Sequence, residues 1–331
     1  MVTIEKMTIH IMEPSSDHLI LSDLCMTAKE DIADMLQRKV SRLFTSPKKK
    51  TGKMKEKNEL LELLMRLKQN ELSFEEFSKA FTSHLFALKR KYAQYHSVDM
   101  MIMMIMYENQ RYIVGLENNH TPAYTHQLHP SADATLITVE PCMTLSSSML
   151  KKDAAFIVCL SDFEISTIEE KIEIEAQKRC FYNDIVFHLD APASYQDAIH
   201  TMTKVCDSII DEYQLESVDV KGKMKQAIKE HMEQEQPILP EQIADVVFET
   251  QPLAKKRFTQ ELKDEGIEQA IAVEHVKQKK ADQVQRIKTD KGIELIIPID
   301  YMKTTDYVEI VNEQEGMISI RLKNIHRITS K

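Results

Sequence analysis

Apolar and polar residues alternate over residues 7–11, which predicts a half-buried strand, with residues 18–21 as its partner. Apolar residues then recur at helical spacing over residues 32–44, which predicts a helix. Thr27 and Glu30 stand at capping-box spacing before it. A lysine-rich connector, PKKKTGKMKEK, follows this helix and is interpreted as a flexible loop.

A short helix is predicted near residues 60–67, and in a longer one that follows, Ser73 and Glu76 repeat the capping-box spacing. The apolar run MMIMMIMY is predicted to be the central strand of a sheet, because it is short and flanked by polar residues. A turn at residues 108–110 would pair it with RYIVGL as a hairpin. Further strands are predicted over residues 134–140 and 154–160 and over the segments IEEKIEIE and CFYNDIVFHL.

The second half of the chain changes to helical spacing after Ala191 and Pro192. Helices are predicted over residues 199–213, 220–232, 241–248 and 253–264, and strands over IELIIPI, DYVEIV and MISIRL. We therefore predict an α+β protein with an N-terminal mixed sheet and packed helices, followed by a helical region and a small C-terminal antiparallel sheet. The predicted domains are residues 1–190, with the N-terminal sheet, and residues 191–331, with the helical region and the last strands.

The composition is that of a globular protein, since 43% of the 331 residues are apolar and 29% are charged. The longest apolar run is far shorter than the roughly 20 residues of a membrane span, so no membrane association is expected. The five cysteines are scattered, which indicates free thiols in a reducing compartment and a cytoplasmic protein.

Local signatures of catalysis are missing from the sequence. The six glycines form neither a dinucleotide-binding nor a phosphate-binding loop, and there is no Gly-x-Ser-x-Gly or His-Glu-x-x-His motif. We therefore expect neither an enzyme nor a cofactor. Because nucleases often scatter their carboxylates, a divalent-metal nuclease stays open as an alternative.

Two groups of ionisable residues are interpreted as structural. His120, His126 and His129 have spacings that could bind a divalent ion, but their Asn-, Pro- and Thr-rich surroundings favour an exposed loop without a metal. Glu169 and Glu170 alternate with isoleucine and are assigned to the solvent face of a strand.

The 19 methionines, concentrated in MMIMMIM, are assigned to the core.

Basic residues are concentrated in a few segments, although the net charge of −9 counts against a simple nucleic-acid-binding protein. Binding depends on the local field rather than on the sum, and basic loops can contact phosphates without reading bases. Solvated surface is an equally good interpretation of the same residues. The candidate DNA-binding residues are Lys48, Lys49, Lys50, Lys53, Lys55, Lys57, Lys89, Arg90, Lys91, Lys255, Lys256, Arg257, Lys277, Lys279, Lys280, Arg286 and Lys288.

Several segments, taken in order, resemble the bacterial 37-kDa nucleoid-associated protein family. They are MTIHIME with LILSD, VSRLF, FEEFSKAFTSHLFAL, MMIMYENQRYIVGL, DAAFIVCL, and the tail with IELIIPIDYM, DYVEIV and GMISIRLKNIHRI. The resemblance implies association with the bacterial nucleoid, chromosome organisation, and binding to DNA and to type II topoisomerases. It supplies no catalytic residues, and residues 163–190 match the family least.

Three functions remain open. The leading hypothesis is a nucleoid-associated protein that binds DNA largely without sequence specificity through its basic clusters. It is expected to be a homodimer, since two-fold symmetry suits contact with a duplex. One alternative is an adaptor that acts through a protein partner such as a type II topoisomerase, and the excess of acidic residues fits this function better. The other alternative is the divalent-metal nuclease.

Overall fold

The computed structural model describes residues 2–55, 59–94, 96–131, 134–273, 276, 283–302, 305–313 and 317–327. The chain divides into two compact units, Met1–Pro192 and Ala193–Lys331. Both units contain helices and strands, so the predicted α+β class is confirmed. Within the described ranges, the helices are too short or too polar to cross a membrane.

The first unit is built on a large sheet. The strands of this unit are β1 (Thr3–Glu13), β2 (His18–Ile20), β3 (Lys50–Met54), β4 (Val98–Tyr107), β5 (Gln110–Pro130), β6 (Thr135–Leu145), β7 (Ala154–Cys159), β8 (Ile165–Ile168), β9 (Ile172–Ile174), β10 (Gln177–Arg179) and β11 (Leu189–Asp190). In the described residues nine of them form one sheet in the order β11-β3-β8-β7-β5-β4-β1-β2, with β6 paired to β5. Each of these pairs is antiparallel, although a mixed sheet was expected.

The helices α1 (Glu30–Phe44), α2 (Glu59–Lys68) and α3 (Phe74–Lys91) cover the two faces of this sheet. On the central strand β4, Met100 and Ile102 are buried in the core formed with α2 and α3. Met101 and Met103 are buried in the core formed with α1 on the opposite face. The prediction of a central strand is confirmed, because burial on both faces requires a continuous apolar run.

The two predicted capping boxes have different outcomes. At α3, the Ser73 hydroxyl accepts a hydrogen bond from the backbone N–H of Glu76 at 3.2 Å, and the backbone N–H of Ser73 donates to the Glu76 carboxylate at 2.9 Å. At α1, the N-cap is Lys29 and no side chain caps the helix, so the capping box predicted at Thr27 is wrong. That helix is held instead by the buried residues of its apolar stripe, Leu36, Val40 and Leu43.

The lysine-rich connector contains β3, so its interpretation as a flexible loop is wrong over these residues. β3 pairs with β8 on one edge and with β11 on the other, and pairing on both edges outweighs its polar composition. Gly52 permits the close approach to β11. A Cβ atom at this position would lie 2.4 Å from the carbonyl oxygen of Asp190.

The segment CFYNDIVFHL forms a π-helical turn over Phe181–Val186 instead of the predicted strand. The Glu169 carboxylate explains this, because it accepts hydrogen bonds from the backbone N–H groups of Tyr182 (2.9 Å) and Asn183 (2.8 Å) at the start of the turn. Glu169 therefore does not lie on the solvent face of a strand, as had been expected. The segment IEEKIEIE is not one strand, because its first residue ends β8 and three of its later residues form β9.

β5 continues for 21 residues through the segment with His120, His126 and His129, so the interpretation of this segment as a loop is wrong. Its partner β6 supplies the backbone hydrogen bonds over residues 120–130. His120 lies 3.1 Å from the carboxylate of Asp99. In the part of the chain that is described, no three His, Cys, Asp or Glu side chains are grouped as metal ligands.

The second unit begins with the helices α4 (Tyr195–Tyr213), α5 (Ser217–Glu233), α6 (Pro240–Val247) and α7 (Pro252–Asp264), which confirms the predicted helical region. These helices pack around one core that includes Met202, Ile209 and Phe258. Two antiparallel hairpins follow, formed by β12 (Val284–Lys288) with β13 (Glu294–Pro298) and by β14 (Val308–Asn312) with β15 (Ile318–Leu322). Of these four strands, β12 is not predicted by the sequence.

Candidate nucleic-acid interface

Cations from three segments of the first unit line one cleft of about 320 Å³ at the C-terminal end of α1. Lys39 and Arg42 are three residues apart and therefore neighbours on one helical face. Lys48 follows the helix, and Lys151 reaches the cleft from the turn before β7. The carboxylates in the lining are Asp153 and Glu169, so cations outnumber them.

A buried carboxylate fixes the turn that carries Lys151. Asp153 accepts a hydrogen bond from the backbone N–H of Asn119 at 2.8 Å and another from the backbone N–H of Leu150 at 2.8 Å. The Asn119 amide also donates to the carbonyl oxygen of Lys152 at 2.9 Å. The turn is therefore tied to β5 by the Asp153 carboxylate and by the carbonyl group of Lys152, while the side chains of Lys151 and Lys152 are exposed.

Lys39 is the buried cation of the cleft. Its Nζ donates to the Asn118 side-chain oxygen at 3.1 Å. Burial lowers the pKa of Lys39, and the negative charge of Asp153 acts against this shift. Lys39 is therefore engaged inside the protein by Asn118, and contact with a ligand is left to the exposed cations.

Arg42, Lys151 and Lys152 are exposed, and none of them forms an ion pair with another described residue. Side chains of this kind can move toward a phosphate without first breaking a salt bridge. They combine a planar guanidinium, suited to bidentate phosphate contacts, with two ammonium groups.

The first predicted basic cluster is largely engaged within the protein. Lys48 forms an ion pair with Glu170. The Nζ of Lys49 donates to the carbonyl oxygen of Phe44 at 3.1 Å, and the Nζ of Lys50 lies 3.4 Å from the Cys180 sulfur. Of these three lysines, Lys48 lines the cleft.

At the end of β3 and just after it, the lysines are exposed. Lys53 points to solvent, and Lys55 lies 3.9 Å from the Asp190 carboxylate in an exposed pair. Such pairs contribute little to stability and are readily exchanged for another anion. Lys57 lies outside the described residues.

A second cavity, of about 820 Å³, shares Lys151 and Glu169 with the cleft and is also lined by Lys152 and Lys171. Burial raises the pKa of Glu169 to about 7, although its two backbone hydrogen bonds favour the charged form. Protonation of Glu169 near neutral pH therefore removes a negative charge from the border of the cleft.

The predicted cluster at the end of α3 is divided by the fold. Lys89 is buried, pairs with Glu117 at 2.9 Å and lies 5.1 Å from the ring centre of Phe181. It cannot present its charge to DNA on the surface, so its assignment as a DNA-binding residue is withdrawn. Arg90 pairs with Asp17 at 2.5 Å, and Lys91 is exposed beside the Tyr92 ring.

In the second unit, α7 carries the next predicted cluster. Lys255 forms an ion pair with Asp245, and Arg257 pairs with Glu261 at 2.7 Å and with Glu212 at 3.7 Å. Lys256, between them, is exposed. Carboxylates thus neutralise most of the charge that the sequence places on this helix.

The last predicted cations lie on or before β12. Arg286 and Lys288 are exposed on one face of this strand, and Lys288 lies 3.3 Å from the Glu294 carboxylate. The remaining predicted residues are outside the described part of the chain, and they are Lys277, Lys279 and Lys280.

The arrangement is suited to electrostatic binding of phosphate groups. Exposed ammonium and guanidinium groups offer hydrogen-bond donors and charge to an anion. The family model for nucleoid-associated protein YejK matches residues 8–328. The chain belongs to this family. No curated protein gives a significant match to the chain.

Membership in the nucleoid-associated protein YejK family confirms the resemblance inferred from the sequence. Sequence reasoning nevertheless missed Arg42, Lys151 and Lys152, because neither α1 nor the turn before β7 contains a long run of basic residues. Two signals were present in the sequence. Arg42 lies one helical turn from Arg38 and Lys39 on α1, and Lys151-Lys152 precedes a buried strand.

Proposed function

We propose that this chain binds duplex DNA largely without sequence specificity, through contacts between surface cations and phosphates. One observation carries the proposal. The exposed cations Arg42, on α1, and Lys151, in the turn before β7, meet at one cleft, and the adjacent Lys152 lines the cavity that shares Lys151 with it; none of the three forms an ion pair among the described residues. All three lie in a chain of the nucleoid-associated protein YejK family.

The net charge of −9 does not oppose this proposal. Charges separated by more than about 8–10 Å are screened at physiological ionic strength, so a local excess of cations governs contact with a nearby phosphate. Lysine and arginine contacts to the backbone carry no base information by themselves. Among the predicted residues, Lys48 lines the cleft, and Lys53 and Lys55, on and just after β3, are further exposed candidates for phosphate contacts.

The test is a salt titration of DNA affinity for the Arg42→Glu, Lys151→Glu variant. If each cation neutralises one phosphate, the slope of log affinity against log salt should become shallower by about 1.8, on two unrelated sequences alike. The matched control is Arg66→Glu, Lys204→Glu, which makes the same change in net charge at exposed positions on α2 and α4.

The control should retain the wild-type slope. An equal loss in both double variants would show that only net charge matters, and an unchanged slope in the cleft variant would exclude the cleft. Incubation of the same DNA with Mg²⁺ or Mn²⁺ tests the nuclease alternative, because cleavage would reveal a divalent-metal enzyme.

A second candidate function is that of an adaptor that reaches DNA through a protein partner such as a type II topoisomerase. The ion pairs of Lys48, Lys255 and Arg257 favour it, because they reduce the charge available to DNA. In that case the purified chain would bind DNA weakly at physiological salt and co-purify with its partner.

The proposal assigns the protein to the nucleoid in the bacterial cytoplasm, with a role in chromosome organisation. Two copies per functional unit would present the cleft twice and double the number of phosphate contacts. A homodimer is therefore part of the proposed function.

A further inference from the structure

The β5–β6 hairpin extends beyond the sheet as a two-stranded ribbon. The pairing of β5 with β4 ends at Asn119, and its pairing with β7 ends at Glu117. Over residues 120–130, β6 is the only strand paired with β5 in the described structure. Isolated two-stranded hairpins are only marginally stable in water. A ribbon of this length is therefore expected to be stabilised by packing against another surface.

The register makes the two faces of the ribbon chemically different. Directly paired residues lie on one face, and successive pairs alternate between the faces. One face, here called the apolar face, is formed by Pro122, Tyr124, Leu128, Ile137, Val139, Pro141, Met143 and Leu145, together with His120, His126, Pro130 and Thr135. The opposite face is mostly polar and consists of Thr121, Ala123, Thr125, Gln127, His129, Leu136, Thr138, Glu140, Cys142 and Thr144.

The large side chains of the apolar face are exposed. Tyr124 is 79% exposed and Val139 is 71% exposed, and Leu128, Ile137 and Met143 are each about 60% exposed. A continuous patch of this kind is uncommon on a monomeric protein and marks a surface that binds a partner.

The edges of the ribbon disfavour the addition of a further strand. Proline lacks the N–H needed for a ladder hydrogen bond, so it is tolerated where the backbone N–H would point outward from the edge. Pro122 and Pro130 occupy such positions on β5, and Pro141 occupies one on β6. A partner is therefore expected on the apolar face rather than along an edge.

The charge of the ribbon excludes nucleic acid as that partner. Residues 120–145 contain no lysine or arginine, and their acidic residues are Asp133 and Glu140. DNA and anionic membranes both require cations on the contacting surface. The occupant must instead present an uncharged apolar surface.

We propose that the apolar face is the dimer interface, packed against the same face of a second copy of this chain, an inference that rests on the homodimer of the proposed function. A two-fold axis through the ribbon matches this face with itself, and the face carries no lysine, arginine, aspartate or glutamate that would oppose the pairing. Homodimer interfaces are also more apolar than other protein interfaces.

The area is sufficient for a reversible dimer. One large aromatic side chain buries about 150–250 Å² and the aliphatic ones less, so the face supplies on the order of 600 Å² per copy. The pair then buries roughly 1,200 Å², which is the lower limit of specific stable interfaces. A dimer whose population depends on protein concentration is therefore expected.

Sedimentation equilibrium of the full chain in high salt, without DNA, tests this inference independently of the DNA-binding proposal. The wild type should change from monomer to dimer over micromolar concentrations. Val139→Glu should raise the dissociation constant by about tenfold or more, since it buries an unpaired charge. Gln127→Glu adds the same charge to the polar face and should leave the dissociation constant unchanged.

Val139 is exposed in the single chain, so its substitution should leave the fold of each copy intact, as circular dichroism can verify. Val139→Thr, which keeps the shape, should weaken the dimer in the same direction. A wild type that stays monomeric, or a Val139→Glu variant that dimerises like the wild type, would overturn the inference.

Discussion

Replacing Lys89 by methionine removes the charge of a buried side chain and nearly keeps its volume. The side chains of Lys89 and Glu117 are 6% and 9% exposed, and their charged groups lie 2.9 Å apart. The Tyr182 hydroxyl donates to the other oxygen of the Glu117 carboxylate at 2.6 Å. Without Lys89 this carboxylate would keep its hydrogen bond but lose its counter-charge.

The Lys89→Met variant is expected to lose stability because the charge of Glu117 stays buried without a partner, rather than because the attraction between the two charges is lost. Removing one partner of a buried ion pair costs about 3–5 kcal/mol, because the remaining charge has no compensation in a medium of low polarity. This is a large share of the roughly 5–15 kcal/mol that stabilises a typical protein. Glu117→Gln in the same chain removes the second charge while Tyr182 keeps an acceptor, so the double variant should recover about 2 kcal/mol or more.

Urea unfolding of the wild type, both single variants and the double variant measures this coupling, and Lys91→Met is the matched control at an exposed position of the same helix. The control should change the free energy of unfolding by less than about 0.5 kcal/mol. The DNA-binding salt slope of the Lys89→Met variant should equal that of the wild type. Unchanged stability together with a shallower slope would refute the structural role of Lys89.

Three further predictions concern the first unit. Gly115→Ala should destabilise the protein by about 1–3 kcal/mol, since its Cβ would lie 2.1 Å from the Phe156 ring. Adding Phe156→Leu to this variant should restore part of the lost stability, as measured by thermal unfolding. Ser73→Ala should cost about 1 kcal/mol in the same measurement, because it removes the cap of α3, and no change would show that the capping box is redundant. Burial lowers the pKa of His10 to about 4, so the folded state stays neutral while the unfolded chain gains a proton below pH 6.5. As pH falls from about 6.5 to 4, the wild type should lose about 3 kcal/mol relative to His10→Asn, and parallel pH profiles of unfolding would contradict this.

The elements predicted best from the sequence are those whose signals are local and strong. α3 combines a capping box with a long apolar face, and β4 is apolar on both sides. Both elements can therefore be predicted from their own residues, without knowledge of the segments that pack on them. β3 and the π-helical turn depend on partners far along the chain. β3 is defined by its edges with β8 and β11, and the turn by the Glu169 carboxylate.

The candidate interface was only partly predictable for the same reason. Runs of lysine identify Lys48 and its neighbours, but a run does not reveal which members pair with acids from other segments, as Lys48 does with Glu170. Arg42 and Lys151 are brought together by folding alone. Lys89 shows the opposite case, in which a basic run includes a residue that the packing of α3 buries.

The methionines of β4 determine how the protein responds to oxidants. Met100, Met101 and Met103 are almost completely buried, so peroxide reaches their thioethers only when the sheet opens. A sulfoxide at any of these positions is polar and does not fit the apolar space it must re-enter. Oxidation during an opening of the sheet therefore hinders its closing. The burial of β4 protects the methionines of this strand from oxidation, and the fold of the first unit depends on that protection.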